Sequence, residues 1–120
     1  MGIMKEVRLA ELLSAINDKE TKIIDVRPID AYNGWKLMTE ARGGHIKGTK
    51  SLPAKWTNFM DWIEIVNSKG MSHHHRIVVY GYDKTKTEKV ADRFFNVGYN
   101  DVKVYNHFID EWSSNPENHL

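Results

Sequence analysis

A short segment of the chain carries polar groups suited to holding an anion: Gly81, Tyr82, Asp83, Lys84, Thr85, Lys86 and Thr87. It follows an apolar run at 77–80 that is typical of a strand buried on both faces. Thr85 and Glu88 have the spacing of a capping box, which predicts that a helix begins there. The first backbone N–H groups of a helix lack intrahelical partners, so this strand–loop–helix junction can hold a small anion or present a nucleophile.

The side chains of the segment limit which of these roles it can have. Gly81 has no side chain and cannot be a nucleophile, and the chain contains no cysteine. Lys84 and Lys86 place positive charge where the helix dipole disfavours it, and a bound anion would reverse that effect. Two solvated lysines are the simpler interpretation. Asp83 can instead accept the free N–H groups itself and so occlude an anion.

Length and composition exclude several classes of function. A chain of 120 residues with 41% hydrophobic and 28% charged residues is typical of one globular domain, here residues 1–120. The formal net charge of +1 argues against a nucleic-acid binder, and no apolar window is long enough to span a membrane. The lack of cysteine excludes disulfides and thiolate metal sites. The start of the chain does not resemble a signal peptide, which favours a soluble, cytoplasmic protein.

Strand and helix patterns alternate along the chain. The apolar run at 77–80 and the largely apolar residues at 23–26 predict buried strands, and 102–105 predicts a further strand, with shorter strands at 5–7 and 50–52. Apolar residues at helical spacing predict helices at 9–16, around 62–66 and at 86–97, with a short helix near 108–112. This alternation predicts an α/β domain with a mostly parallel sheet.

Other polar residues also have both a functional and a structural interpretation. Asp25 and Arg27 lie at the C-terminal end of a predicted strand, where open α/β sheets place their ligands. We interpret both as structural, since the aspartate can accept loop N–H groups and Arg27 can pair with Asp30 or Glu40. His45 is interpreted as a hydrogen-bonded core histidine.

Three consecutive histidines raise the question of a metal site. His73, His74 and His75 can converge on one ion only with an ordered backbone and further ligands. A polar loop is the simpler interpretation, so the sequence predicts neither a metal site nor a cofactor.

Several motifs resemble, in order and spacing, those of rhodanese-like domains. The chain reads Ile-Ile-Asp-Val-Arg at 23–27, Gly-His-Ile-Lys-Gly-Thr at 44–49, Leu-Pro at 52–53 and Gly-Tyr-Asn-Asp-Val at 98–102. The resemblance covers nearly the whole chain and implies an open parallel sheet with helices on both faces. It makes Asp25, Arg27, His45 and Gly48 residues of structural motifs. It also implies sulfurtransferase chemistry, in which a loop cysteine carries a persulfide.

The active-site loop departs from the CxxGxR pattern of that family. Gly81 stands in the place of the cysteine, Lys84 in that of the glycine and Lys86 in that of the arginine. The segment from Tyr32 to His45 is also longer than in compact single-domain members. The chain therefore resembles a cysteine-less repeat of a multi-domain rhodanese, or a fragment of a tandem protein.

Three functions follow as hypotheses. The first is a non-catalytic module that supports or regulates a catalytic rhodanese domain of the same protein. The second is one part of a thiosulfate sulfurtransferase whose active cysteine lies in another domain. The third is a module that binds a small anion or phosphate with the loop at 82–86. For the first two, we expect Trp35, Trp56 and Tyr82 near the C-terminal edge of the sheet, as part of a surface for another domain.

Overall fold

A computed structural model describes residues 5–39, 43–46, 48–58 and 61–113. Glu40 and Lys47, which enter the interpretations above, lie outside these ranges. The helices and strands are β1 (Lys5–Glu6), α1 (Leu9–Ile16), β2 (Thr21–Asp25), α2 (Ile29–Tyr32), β3 (Lys50–Ser51), α3 (Trp62–Ser68), β4 (Arg76–Tyr80), α4 (Lys84–Asn96) and β5 (Val102–Tyr105). A 3-10 turn (Ala54–Asn58) precedes α3, and a π-helical turn (Phe108–Trp112), here called the closing turn, follows β5. Every helix within the described residues is too short or too polar to traverse a lipid bilayer.

The strands form one parallel sheet in the order β1-β5-β4-β2-β3. Strand β4 is central because Ile77 through Tyr80 are all buried and pair on both sides. Val79 lies opposite Ile24 of β2 and opposite Val104 of β5. The expected buried strand at 77–80 is therefore confirmed, and the strand at 23–26 pairs with it in parallel.

Alternate side chains of the strands pack into two cores on opposite faces of the sheet. Ile24 and Val79 contribute to the core that α3 and α4 cover, with Trp62 and Phe94 from those helices. The neighbouring positions Ile23, Val78 and Tyr80 contribute to the other core, which α1 and the closing turn cover with Leu12 and Trp112. Helices on both faces of an open parallel sheet are thus confirmed, and burial on both faces explains why β4 is apolar without a break from Ile77 to Tyr80.

Helix α4 begins earlier than the sequence predicted. Its first residue is Lys84 and its N-cap is Asp83, whose Oδ1 accepts hydrogen bonds from the N–H groups of Thr85 at 2.8 Å and Lys86 at 3.4 Å. The predicted capping box at Thr85 and Glu88 was wrong, because an aspartate just outside the first turn is a strong cap and its charge also complements the helix dipole.

Candidate functional site at the C-terminal edge of the sheet

The topology of the sheet points to one edge as the place for a site. Strands β3 and β4 are consecutive in the chain, but they lie on opposite sides of β2. Open α/β sheets bind ligands at such a switch point, outside the C-terminal ends of the strands. The segments that follow β2 and β4 meet there, since the N–H of Val26 donates to the carbonyl of Tyr80 at 3.0 Å.

A buried ion pair occupies the end of β2. Arg27 Nη2 lies 2.6 Å from Asp25 Oδ2, and both side chains are fully buried. Arg27 Nε and its backbone N–H also donate to Asp25 Oδ1, at 3.0 and 2.9 Å. Among the described residues the partner is thus Asp25 and not Asp30, which corrects the sequence interpretation. In an extended chain, the side chains of residues two apart point to the same side, so those of Asp25 and Arg27 start on one face. The chain bends at Arg27, and this brings the guanidinium within hydrogen-bond distance of the carboxylate.

Aromatic rings enclose this ion pair. The Arg27 guanidinium carbon lies 4.3 Å from the ring centroid of Phe108 and 5.3 Å from that of Tyr82. The hydroxyl of Tyr80 donates to Asp25 Oδ2 at 2.7 Å and accepts from the N–H of Ile46 at 3.1 Å. Cation–π contact and charge-assisted hydrogen bonds replace the water that the pair loses on burial.

The protonation states of this cluster are set by the same contacts. Burial acts to lower the pKa of Arg27, but the hydrogen bonds and the charge of Asp25 outweigh it and raise that pKa. Burial, followed by the charge of Asp25, raises the pKa of Tyr80 well above its usual value. Arg27 is therefore charged and Tyr80 neutral at neutral pH.

The C-terminal part of the long segment between α2 and β3 is attached to this cluster and to α2. The Arg27 guanidinium donates to the carbonyl of Gly44 at 2.6 Å. The half-buried ring of His45 stacks on Tyr32 with centroids 3.8 Å apart, and its Nδ1 lies 2.9 Å from the Tyr32 carbonyl oxygen. Gly48 has a φ of +82° and open space around it, so its backbone conformation rather than crowding favours glycine there. The structural-motif residues thus position the chain around the switch point.

The position of Gly81 has little room for a side chain. A Cβ added there would lie 2.8 Å from Val26 Cγ2 and 3.0 Å from Thr87 Oγ1. Val26 is a short, buried side chain and cannot move away as the end of a long one can. A nucleophile at this position would therefore require the walls of the loop to shift.

In the rest of the loop, residues 82–87, some polar groups have hydrogen-bond partners within the described part of the protein and others do not. Asp83 already accepts two of the N–H groups at the start of α4, as the sequence analysis allowed. Lys84, Thr85 and Lys86 are exposed. Thr87 is buried, and its hydroxyl has no hydrogen-bond partner within the described ranges. The structure thus keeps the expected strand–loop–helix shape and leaves fewer free donors in it than the sequence suggested.

A groove with an apolar border runs along this loop. It has a volume of about 250 Å³, and its walls include Leu37, Met38, Tyr82, Lys86 and Thr87. Trp35, Leu37 and Met38, which we call the apolar rim, are 68%, 44% and 59% exposed. Trp56, in contrast, is half-buried and packs against the core. The rim offers contact area to another molecule or domain, as single exposed side chains do not.

Sequence analysis missed two residues of the cluster, Tyr80 and Phe108. A tyrosine at the end of a fully apolar strand was a usable signal, because a buried hydroxyl needs a partner and the adjacent strand ends in Asp25. Phe108 gave no comparable signal, since its contact with Arg27 depends on how the closing turn folds back.

Together, the sheet order, the cores on both faces and the loop after β4 define an α/β domain. The switch point of its sheet lies at the C-terminal edge, where domains of this class bind ligands. The model of the rhodanese-like domain family matches residues 8–115. The chain belongs to the rhodanese-like domain family. No curated protein sequence matches it.

Solved structures extend this relationship to enzymes. The anaerobic ergothioneine biosynthesis enzyme from Chlorobium limicola, in complex with its natural substrate trimethyl histidine, is 43% identical with a TM-score of 0.95, over 98% of this chain and 28% of that one. Wild-type EanB is 43% identical with a TM-score of 0.95, over 98% and 27%. An EanB variant with a cysteine persulfide, in a tetrahedral intermediate state with ergothioneine, is 44% identical with a TM-score of 0.93, over 97% and 27%. The chain thus spans just over a quarter of the length of these structures.

Proposed function

We propose that this chain is a non-catalytic rhodanese-like module that supports or regulates a sulfur-transfer domain of the same protein. The observation that carries the proposal is the glycine at position 81 and the lack of space for a side chain there. The family resemblance places the cysteine there, whereas this chain has a glycine whose Cβ space is taken by Val26 and Thr87. The loop therefore lacks both the thiol and the room for it, while the fold around it is complete.

The apolar rim supports a role in contact with another domain. Leu37 and Met38 line the groove beside the loop and are exposed, and Trp35 precedes them in the same segment. Interfaces between domains use such apolar and aromatic residues surrounded by polar ones, and Lys86 and Asp83 also line the groove. The rim is thus suited to lie against a catalytic domain.

A second hypothesis concerns the reaction of the whole protein. The chain would be one part of a sulfurtransferase whose active cysteine lies in another domain, with thiosulfate as the sulfur donor. The likeness to an EanB variant with a cysteine persulfide supports sulfur transfer. The first two hypotheses give this chain the same role and differ in what the remaining polypeptide does.

The third hypothesis, a small-anion or phosphate site at 82–86, has one observation in its favour. The buried Thr87 hydroxyl lacks a partner among the described residues and lines the groove together with Lys86. Asp83 opposes it, because its carboxylate takes the N–H groups that an anion needs and adds negative charge. Titration of phosphate and thiosulfate into the protein tests it, with Lys86→Ala as the variant that should weaken binding.

A chimeric enzyme tests the supporting role. This chain replaces the aligned segment of the Chlorobium limicola enzyme, and conversion of trimethyl histidine is measured. A supporting module preserves activity although it brings no cysteine. Substituting both Leu37→Glu and Met38→Glu in the chimera should then lower kcat/KM by at least about tenfold, because the rim no longer packs against the neighbouring domain.

Leu13→Glu is the matched control for the chimera. Leu13 and Leu37 are each 44% exposed, but Leu13 lies on α1, away from the groove. This variant should keep the activity of the parent chimera. A chimera that is inactive although folded, or rim variants as active as Leu13→Glu, would contradict the proposal.

A further inference from the structure

Two turns meet at the N-terminal edge of the sheet, opposite the loop described above. Parallel pairing of β2 with β4 places Thr21 opposite Arg76, so the residues just before these two strands become neighbours. The Arg76 N–H donates to the Glu20 carbonyl at 2.9 Å and fixes this arrangement. Glu20 is thereby brought to the turn that contains His74 and His75.

The side chains of these residues converge. His74 Nε2 lies 2.9 Å and His75 Nε2 lies 3.8 Å from the same oxygen, Glu20 Oε2. One ligand atom from each of the three residues lies within 4.8 Å of the others. Ligands at about 2.0–2.1 Å from a tetrahedral Zn²⁺ ion are about 3.4 Å apart, and the observed separations bracket that value. Small side-chain rotations would therefore give the geometry of a metal site.

Ser72 supplies an acceptor behind both rings. Its Oγ lies 2.8 Å from His74 Nδ1 and 3.4 Å from His75 Nδ1. A ligating histidine carries its proton on the other ring nitrogen and donates it to such an acceptor. In the metal-free protein His75 Nδ1 instead accepts the N–H of Ser72 at 3.0 Å. Metal binding at Nε2 places the ring proton on Nδ1, so the hydrogen bond from the Ser72 N–H is lost and the His75 ring must rotate away from that N–H towards the Ser72 hydroxyl.

The electrostatic setting allows a cation. The neutral imidazole is the form of histidine that ligates a metal, so metal binding competes with the proton for the ring nitrogen. Glu20 contributes the negative charge. The nearby Lys22 repels a cation, and we therefore expect a dissociation constant in the micromolar range rather than below it.

We propose that Glu20, His74 and His75 form a binding site for a divalent transition-metal ion of the zinc class. Two imidazoles and one carboxylate suit Zn²⁺, Ni²⁺ or Cu²⁺, whereas Mg²⁺ and Ca²⁺ require oxygen ligands. Three protein ligands leave a fourth position for water. The bound ion would join the turn before β2 to the turn before β4. For His74 and His75, this site would take the place of the polar-loop interpretation, because the fold brings Glu20 to the same turn as a further ligand.

Titration calorimetry with Zn²⁺ on chelator-treated protein, purified without a histidine tag, tests the proposal. We expect binding of one ion per chain, and Co²⁺ should give the visible absorption of a four-coordinate site. His74→Ala, His75→Ala and Glu20→Gln should each weaken Zn²⁺ binding by at least about tenfold. Mg²⁺ should give no heat of binding.

His73→Ala is the matched control from the same run of histidines. The Nε2 of His73 lies 2.9 Å from the Val97 carbonyl oxygen, and its ring lies against Tyr99, so it faces away from Glu20. This variant should bind Zn²⁺ within about twofold of the parent chain, since it removes no ligand. Absence of measurable Zn²⁺ binding, an equal loss in His73→Ala, or unchanged binding in Glu20→Gln would each overturn the proposal.

Discussion

The two edges of the sheet use their charged groups in opposite ways. At the C-terminal edge, Asp25 and Arg27 are fully buried and bonded to each other, and Asp83 accepts the first N–H groups of α4. At the N-terminal edge, the side chains of Glu20 and His74 are 59% and 67% exposed and are held by few contacts. The charged groups of the first edge are thus bonded to protein partners, although the buried Thr87 hydroxyl there has none among the described residues, whereas the charged groups of the second edge are largely open to solvent.

This difference shows that a place in a fold does not by itself assign a function. The family resemblance places the reactive loop at the C-terminal edge, yet in this chain Asp25 and Arg27 are bonded to each other there and Val26 occupies the Cβ space of position 81. Polar groups that satisfy each other stabilise the domain and have little capacity left for a ligand.

The largest contrast is expected for the two carboxylates Asp25 and Glu20. Asp25→Asn leaves Arg27 buried without its counter-charge and should lower the free energy of unfolding by about 3–5 kcal/mol. Glu20→Gln removes one partner of an exposed pair and should change it by about 0.5 kcal/mol or less in metal-free protein. Urea unfolding of both variants makes the comparison. Losses of equal size would mean that the two edges do not differ as described.

A crowding effect of intermediate size is expected at Gly81. Gly81→Ala places a Cβ against Val26 and should lower the free energy of unfolding by about 1–3 kcal/mol. In a Val26→Ala background the same change should be less costly, because the contact at 2.8 Å is gone. A double-mutant cycle in urea measures this coupling. Simple additivity of the two substitutions would show that position 81 has free space.

The cap of α4 should have a smaller effect. Asp83→Ala leaves the N–H groups of Thr85 and Lys86 without their acceptor and should lower the free energy of unfolding by about 0.5–2 kcal/mol. Lys89→Ala, an exposed site within the same helix, is the control and should be nearly neutral. Thermal melts of the two variants suffice for the measurement. An unchanged melting temperature in Asp83→Ala would favour the open, anion-binding form of the loop.

The smallest effect concerns acid stability beside the C-terminal edge. The Asn106 amide donates to Glu6 at 2.6 Å, and this hydrogen bond, against a smaller effect of burial, lowers the pKa of Glu6 below 4.5. The unfolded state then takes up the proton more readily, so this contribution to stability is present above about pH 4.5 and is lost as the pH falls through the lower folded pKa. Glu6→Gln does not titrate, and its urea midpoint should fall less between neutral and acid pH. An equal fall in both proteins would contradict this.

The fold was predictable because the central strand β4 is apolar and buried from Ile77 to Tyr80 and its neighbours carry mostly apolar residues. The patterns at 77–80 and 102–105 coincide with β4 and β5, and both are buried on two faces. The start of α4 was misplaced because two local caps compete there, and a sequence pattern does not weigh them. Thr85 and Glu88 fit the capping-box motif, but Asp83 lies just outside the first turn and is the residue that caps the helix.

The side-chain pairings at the two edges of the sheet depend on contacts that the spacing of residues along the sequence does not predict. Arg27 had several acidic residues within reach, and the bend after β2 decides that its partner is Asp25. Glu20 and His74 are distant in the chain, and only the register of β2 against β4 brings them together. Sequence patterns therefore gave the scaffold, while pairing across the sheet decided the chemistry of its edges.

Thiocyanate formation by the Gly81→Cys variant tests the central claim most directly. Thiosulfate and cyanide are supplied, and the intact thiol is verified by titration in denaturant. Because Val26 and Thr87 fill the space and Asp83 holds the N–H groups, the new cysteine should give no turnover above the blank, although the chain folds. Robust turnover from this single substitution would contradict the account, since it would show that the loop at the C-terminal edge is still an open sulfur-transfer site.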